Sequence, residues 1–145
     1  MKLKKTSITN YRCFKEAEID FDEHTTLIVG KNGAGKTAIL DAVAVAISTF
    51  LLGIDGGVSR SISKDDARYE FYDLDGTVDP QHQFPVSIES TGDCLDNHDV
   101  KWVRSLNSES GNTTVKEARE LTNISKNTQK RIMTGDKSLI LPLIS

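Results

Sequence analysis

The sequence has few cysteines and little net charge, and both shortages limit what the protein can be. Cys13 and Cys94 stand far apart among 145 residues, so the chain has neither a disulfide framework nor the close spacing of a metal site. The formal net charge of −3 gives no overall attraction to nucleic acid or to an acidic membrane. We therefore expect a protein of a reducing compartment, the cytoplasm.

Long apolar runs are also missing. Residues 1–6 are basic but are not followed by the apolar stretch of a signal peptide. The most apolar stretch, residues 42–52, is shorter than the ~20 residues that span a bilayer. The sequence thus predicts no membrane partner, and its length suits one domain with its own core.

One segment carries most of the information about chemistry. It matches the phosphate-binding pattern G-x-x-x-x-G-K-[ST] and consists of Gly30, Lys31, Asn32, Gly33, Ala34, Gly35, Lys36 and Thr37. The β-branched run at residues 25–29 predicts a buried parallel strand before it. Residues 38–47 contain no Gly or Pro and one charge, which predicts a helix buried on most sides. Strand, glycine loop and helix stand in the order that such a loop requires.

The residue types indicate their roles in this loop. We expect Gly30, Gly33 and Gly35 to take positive φ, so that successive N–H groups point at phosphate oxygens. The helix start adds its dipole, Lys36 supplies a charge to the β and γ phosphates, and the Thr37 hydroxyl is the expected Mg²⁺ ligand. The alternative is a glycine-rich turn, which needs neither the Lys-Thr pair nor an apolar helix after it.

An edge hairpin is predicted upstream of the loop. Residues 3–10 are β-prone, and apolar residues alternate with acidic ones over residues 17–22. The segment Tyr11-Arg12-Cys13-Phe14 joins the two strands. This position would allow the Arg12 guanidinium to reach a phosphate or an adenine face, whereas the alternative is an ordinary surface arginine.

These motifs together resemble a known group of proteins. The segment LKKTSITNYRCFKEAEIDFDEHTTLIVGKNGAGKTAILDAVAVAI resembles the N-terminal lobe of the RecF/SbcC/SMC group of ABC-type ATPases. Chains of that group open with a basic strand, N-[FY]-R-x-F, an acidic and apolar strand, and then the phosphate-binding loop. The segments QFPVSIES, VKWVRSL and LILPLIS are similar to ATP-binding proteins that include the ATPase component of Septu and retron-associated anti-phage systems.

The resemblance implies an α/β P-loop NTPase of the ABC type, the N-terminal portion of a head with an antiparallel β lobe. Such a head binds ATP and Mg²⁺, pairs with a second head as a homodimer, and couples to DNA or to a nuclease partner. It also implies that Arg12 lies near the nucleotide. The Walker B strand ending in Asp-Glu and the serine-glycine signature of the family are not found in residues 1–145. We therefore expect these residues to be the N-terminal part of a single head domain, truncated after the apolar run at residues 139–144 and unable to hydrolyse ATP alone.

Two other functions compete with this interpretation. The segment FYDLDGTVD resembles the first motif of the haloacid dehalogenase phosphatases, which would make Asp73 a nucleophile and Asp75 a general acid. The later Lys, the distant acidic pair and the crossover helix of that family are not evident, so an Asp-Gly turn is favoured. The other alternative is a non-catalytic interaction module.

The remaining patterns predict secondary structure. Ser63 is typical of a helix cap before residues 64–68, and residues 86–90 and 100–106 are strand-like around a polar turn at 91–99. Trp102 is expected to pack in the core and not to stack on a base.

A last helix is predicted at residues 114–133, with Val115, Ala118, Leu121 and Ile124 on its apolar face. Gly135 is expected to end this helix. Its basic residues alternate with Glu117 and Glu120, which indicates a solvated face more than a contact with DNA phosphates. They are Lys116, Arg119, Lys126, Lys130 and Arg131.

Overall fold

The computed structural model describes residues 1–74 and 77–136. Its six strands and two α-helices are β1 (Lys2–Tyr11), β2 (Phe14–Asp20), α1 (Lys36–Ser48), β3 (Tyr69–Leu74), β4 (Thr77–His82), β5 (Val86–Cys94), β6 (Asn97–Leu106) and α2 (Arg119–Met133). A four-stranded antiparallel sheet has the order β2-β1-β5-β6, and β3 and β4 form a separate two-stranded sheet. The fold is the mixed α/β fold with an antiparallel lobe that the resemblance implied.

The predicted edge hairpin is confirmed. β1 pairs antiparallel with β2, with Ile8 opposite Ala17 and Tyr11 opposite Phe14. β1 also pairs with β5 on its other side, and its residues Ile8 and Tyr11 are buried in the core. The turn between β1 and β2 contains only Arg12 and Cys13, and this fixes both residues at one end of the sheet.

The prediction of a polar turn at residues 91–99 is wrong. β5 and β6 continue through it, with Gly92 opposite Val100 and Cys94 opposite Asn97, so only two residues connect the strands. Residues on β5 alternate between buried and half-buried positions along its whole length. Thr91 and Asp93 lie on the half-buried face, where Asp93 forms an ion pair with Lys4 at 2.7 Å, and their polarity therefore does not interrupt the ladder.

α1 packs on the sheet through a stripe of small residues. Ala38, Ala42, Val45 and Ala46 are buried, and the Trp102 indole N–H donates to the Ala46 carbonyl oxygen at 3.0 Å. This confirms Trp102 as a packing residue. The sequence predicted that α1 would be buried on most sides, but Leu40 of this helix is 58% exposed.

The helical stretch Lys36–Gly53 also meets the length and composition of a membrane span, with a mean hydropathy of 1.6 over 18 residues. It comprises α1 and the 3-10 helix Thr49–Gly53. Its packing is that of a core helix, because one face covers the sheet. Asp41, in the middle of that stretch, forms ion pairs with Arg12 and Arg60.

The parallel strand predicted at residues 25–29 is not formed. These residues belong to no strand, and Leu27 and Val29 are 80% and 76% exposed. A strand needs neighbours that accept and donate its backbone hydrogen bonds, and the strands of the described residues all pair elsewhere.

β3 and β4 form an antiparallel hairpin in which Asp73 lies opposite Val78. An antiparallel strand therefore follows Asp73 where the phosphatase interpretation requires a crossover helix. Asp75 and the apolar run at residues 139–144 lie outside the described residues.

The predicted helix at residues 114–133 is confirmed, with a 3-10 first turn at Lys116–Ala118. Ala118 and Leu121 are buried as expected, whereas Val115 is 49% exposed. Ser63 precedes the 3-10 helix Lys64–Asp66, and its N–H donates to the Asp66 Oδ2 at 3.0 Å, which confirms the cap.

Candidate phosphate-binding site

The glycine loop has the backbone conformation that phosphate binding requires. Gly33 and Gly35 have φ of +84° and +88°, a region that other residues enter only with strain. Gly35 caps the first turn of α1, and its carbonyl oxygen accepts the Ile39 N–H at 3.0 Å. Gly30 differs from the expectation, because its φ is not positive. A Cβ there would lie 3.3 Å from the Cβ of Ala34, so close approach and not φ favours glycine at this position.

Lys36 spans the loop. Its Nζ donates to the carbonyl oxygens of Gly30 at 2.7 Å and Lys31 at 2.8 Å. The ammonium charge is thereby fixed over the loop, at the N-terminal end of α1 where the helix dipole is positive. Thr37 follows in the first turn and is exposed, so its hydroxyl is accessible to a ligand.

A cleft of about 370 Å³ opens beside the loop, within the roughly 300 to 1,000 Å³ of small-molecule sites. It carries two cationic side chains, a hydroxyl and no carboxylate among its lining residues. This donor set fits a phosphate group, and the hydroxyl fits Mg²⁺, which prefers oxygen ligands. The lining residues are Arg12, Cys13, Asn32, Gly33, Gly35, Lys36, Thr37 and Ala38.

Arg12 is held at this cleft by two carboxylates. Its Nε donates to the Asp66 Oδ1 at 2.9 Å, and its Nη1 donates to the Asp41 Oδ2. Its backbone N–H donates to the Asp66 carbonyl oxygen at 2.7 Å, which fixes the residue at a φ of +52°. Arg12 is therefore not an ordinary surface arginine, and its guanidinium has further N–H groups beyond these two contacts.

Asp41 and Asp66 were not found from the sequence. Asp41 lies four residues after Thr37 on α1, which places both on one helix face, but that spacing alone does not indicate a contact with Arg12. Asp41 also pairs with Arg60 at 2.7 Å. The cluster joins the β1–β2 turn, α1 and the segment around residues 60–66.

The cluster changes the acidity of its neighbours. Burial raises the pKa of Tyr11 to about 12, and the charge of Asp66 adds to this shift. Burial alone would raise the pKa of Asp66, but hydrogen bonds from Ser63 and Arg12 outweigh it and lower that pKa. The Arg12 guanidinium lies 5.4 Å from the centre of the Tyr11 ring, so this ring lies beside the ion pairs that Arg12 forms with Asp41 and Asp66.

The β1–β2 turn also packs directly on the glycine loop. A Cβ at Gly35 would lie 2.5 Å from the Phe14 Cζ and 2.7 Å from the Cys13 Sγ. A larger residue at this position would therefore require the Phe14 and Cys13 side chains to move, and the sequence pattern gave no signal for this contact.

The other candidate residues lie elsewhere. Asp73 lies on β3 and does not line the cleft. Within residues 1–74 and 77–136, no cluster of three His, Cys, Asp or Glu side chains could hold a metal ion.

Comparisons with known proteins agree with this geometry. A family model described as an AAA domain matches residues 5–145. The chain is 54% identical over 43 residues to the DNA replication and repair protein RecF of Flavobacterium johnsoniae, which is 30% of this chain and 12% of that protein. It is 48% identical over 44 residues to the DNA double-strand break repair Rad50 ATPase of Archaeoglobus fulgidus, which is 30% of this chain and 5% of that protein.

A longer alignment joins the chain to the RecF protein of Phocaeicola vulgatus, 30% identical over 90 residues, or 61% of this chain and 23% of that protein. The chain therefore spans well under two thirds of the length of these relatives. A solved structure from work on ATP-driven dimerization and DNA-stimulated activation of SMC ATPases has a TM-score of 0.53 at 20% identity. The alignment covers 86% of this chain and 80% of that one, which shows a shared fold.

Proposed function

The chain belongs to the AAA domain family, and from that premise we propose that it binds ATP with Mg²⁺ through residues 30–37 as the head of a DNA-associated ATPase. The observation that carries the proposal is the meeting of Lys36, Thr37 and Arg12 at one cleft beside two left-handed glycines. The β1–β2 turn supplies Arg12 and the start of α1 supplies Lys36 and Thr37, so two segments distant in sequence bring groups that fit a phosphate and its Mg²⁺ to one cleft.

Each residue has a distinct task in this proposal. The loop N–H groups and the α1 N-terminus hold the phosphate oxygens, while Lys36 and Arg12 neutralise their charge. The Thr37 hydroxyl would hold Mg²⁺, which supplies further neutralisation of the phosphates when bound. Gly30, Lys31, Asn32, Gly33, Ala34 and Gly35 shape the cradle.

The assembly around the head is also a proposal. Residues 1–145 act as the N-terminal part of one ATP-binding head in the cytoplasm, which pairs with a second head and acts with DNA. The DNA-repair names of the relatives and the study of SMC dimerization support this arrangement. A role in anti-phage defence with a nuclease partner is supported by the segments QFPVSIES, VKWVRSL and LILPLIS.

A thermal titration tests the nucleotide part. A ligand that binds only the folded state raises the melting temperature as its concentration rises, so Mg-ATP should stabilise the parent chain but not Lys36→Ala. Lys15→Ala removes an exposed lysine of β2 and serves as the control that keeps the shift. Release of phosphate that depends on Asp73 would favour a phosphatase instead, and no effect of any nucleotide would favour an interaction module.

A further inference from the structure

Arg12 is held by a segment that lies far from it in the sequence. This segment consists of residues 63–68, and we call it the capped segment. The Oδ1 atom of its residue Asp66 accepts the Arg12 Nε–H at 2.9 Å, across 54 residues of chain. The Asp66 carbonyl oxygen also accepts the backbone N–H of Arg12 at 2.7 Å. Both the backbone and the side chain of Arg12 are therefore bound to one residue.

The Asp66 carboxylate is itself fixed by the cap. Ser63 donates its backbone N–H and its hydroxyl group to the Asp66 Oδ2, each at 3.0 Å. This leaves Oδ1 for Arg12. A carboxylate that accepts three hydrogen bonds has little freedom to turn, so its direction toward Arg12 is set by the capped segment.

The capped segment is bound to β1 and to the base of the β3–β4 hairpin. Arg68 donates its backbone N–H to the Asn10 carbonyl oxygen at 2.9 Å, and Ala67 forms an isolated antiparallel bridge with Tyr11. The Arg68 carbonyl oxygen accepts the Gln83 N–H at 2.8 Å, just after β4. The position of Asp66 therefore depends on how this segment docks on β1.

Asp66 lies outside the phosphate-binding cleft. Its side chain is 14% exposed, and it is not a lining residue, whereas Arg12 is one. An arginine side chain carries more N–H donors than its contacts with Asp66 and Asp41 occupy. The remaining donors can bind a phosphate while both carboxylates stay in place. Asp66 can thus act on a ligand through Arg12 without touching it.

The charges of the cluster cancel, so its contribution to the cleft is orientation. The cations Arg12 and Arg60 are balanced by the carboxylates of Asp41 and Asp66. A free arginine side chain loses rotamer freedom when it binds a ligand. Because Asp66 holds the guanidinium at the cleft beforehand, this loss is smaller when the phosphate arrives.

We propose that Asp66 is a positioning residue of the nucleotide site, and that a bound nucleotide in turn stabilises the docking of the capped segment on β1. The two effects are one coupling, because a segment that raises the affinity for a ligand is itself stabilised by that ligand to the same extent. The inference rests on the proposed binding of ATP with Mg²⁺ and adds a route from that site to the base of the β3–β4 hairpin.

Asp66→Asn tests the positioning role. An amide has one acceptor oxygen, so it can accept from Ser63 or from Arg12 but not from both. The substitution also removes a negative charge near the cleft, so charge alone predicts tighter binding of an anion. Positioning predicts the opposite, an affinity for a fluorescent ATP analogue with Mg²⁺ that is lower by about fivefold or more, the lower end of coupling between sites.

Arg68→Gln is the matched control. It removes the Arg68 ion pair with Glu70 from the same segment and leaves the contact between Asp66 and Arg12 in place. The affinity of this variant should equal that of the parent. Thermal unfolding of each variant verifies that it is folded.

A double-mutant cycle separates positioning from a general loss of stability. If Asp66 acts through Arg12, then Asp66→Asn should not lower the affinity further in an Arg12→Ala background. Losses that add in the double variant would overturn the inference, because Asp66 would then act independently of Arg12.

Hydrogen exchange tests the reverse direction of the coupling on the parent chain, and it remains informative if Asp66→Asn does not fold. Saturating Mg-ATP should slow exchange in residues 63–68 by a larger factor than in α2, which reports the general stabilisation by a ligand. In Asp66→Asn this additional protection should be absent. Equal protection of the two regions in the parent would overturn the inference.

Lys36→Ala distinguishes the failure of this inference from the failure of the proposed function. A parent chain that does not bind nucleotide, or that binds it no better than Lys36→Ala, overturns both. Binding that depends on Lys36 but is unchanged or tighter in folded Asp66→Asn overturns the inference alone. Weaker binding in Asp66→Asn, with parent-like binding in Arg68→Gln, supports it.

Discussion

At the scale of residues, Arg12 connects the phosphate-binding cleft to the rest of the fold. Its side chain contacts Asp41 on α1 and Asp66 after the Ser63 cap, and it also lines the cleft. An arginine held by two carboxylates has few conformations to lose when a ligand arrives. We therefore expect its replacement to affect both stability and nucleotide affinity.

For Arg12→Ala, we expect the affinity for a fluorescent ATP analogue to fall by about 1.5 to 3 kcal/mol, the value of a charge-assisted hydrogen bond. The free energy of unfolding should also fall, because both carboxylates lose a partner. Arg60→Ala is the control, because Arg60 shares Asp41 but does not line the cleft. It should lower stability and leave the affinity unchanged. Unchanged affinity in Arg12→Ala would show that the arginine is only structural.

The pKa of Asp66 predicts a dependence of stability on pH. Because that pKa is lowered in the folded state, the ionised carboxylate stabilises the fold above its unfolded pKa of about 3.9. This contribution is lost as pH falls through the folded pKa. Asp66→Asn should therefore be less stable than the parent at neutral pH, and the difference should shrink below about pH 4. Urea unfolding followed by Trp102 fluorescence measures both conditions. A difference that stays constant with pH would contradict the assignment.

At the scale of elements, the glycine loop and the β1–β2 turn support each other. Gly33 and Gly35 share a left-handed backbone, but only Gly35 lies under Phe14 and Cys13, while no atom lies within 4 Å of a Cβ placed at Gly33. The two glycines thus form a natural comparison.

Gly33→Ala should lower the free energy of unfolding by about 1 to 2 kcal/mol, the cost of the left-handed conformation. Gly35→Ala adds a steric clash and should cost clearly more. Chemical denaturation of both variants beside the parent gives the comparison. Equal destabilisation would mean that the turn moves away from the loop at no cost.

The elements differ in how well the sequence predicts them. β2 and α2 follow from the periodicity of their apolar residues, β1 follows from its β-prone composition, and α1 follows from a stretch with no Gly or Pro and one charge. The prediction of a turn at residues 91–99 was wrong, since Thr91 and Asp93 lie on the half-buried face of β5. The strand at residues 25–29 was predicted from its apolar composition, but strand formation depends on partners that composition does not reveal.

The candidate site also has parts that the sequence predicts and parts that it does not predict. The glycine loop could be predicted because its chemistry is local and its residues are consecutive. Asp41 and Asp66 could not, because Arg12 meets them across 29 and 54 residues of chain. The tight fit of Gly35 beneath Phe14 is likewise a tertiary contact with no local signal.

At the scale of the whole molecule, the segment at residues 25–29 exposes apolar side chains beside the cleft's loop. A segment with exposed apolar side chains and a backbone that has no strand partner favours pairing with other chains. Leu27→Lys with Val29→Lys should therefore reduce self-association at high concentration. Val58→Lys is the control, because Val58 is 82% exposed in a different loop, and it should change little. Size-exclusion chromatography with light scattering measures the effect, and equal behaviour of the two variants would refute it.

Binding and turnover are separate properties of the molecule. The cleft holds groups that position phosphates but no carboxylate among its lining residues, and hydrolysis needs a group that orients water and others that stabilise charge on the γ phosphate. We therefore expect binding of Mg-ATP without turnover by residues 1–145.

The most direct test is an equilibrium titration of the parent chain and Lys36→Ala with a fluorescent ATP analogue and Mg²⁺, with circular dichroism and phosphate release measured on the same samples. The parent should bind, Lys36→Ala should bind at least about tenfold more weakly, a difference of 1.4 kcal/mol, and the two spectra should agree. Phosphate release by the parent should not exceed that of Lys36→Ala. Equal affinities in two folded proteins would contradict nucleotide binding through the glycine loop.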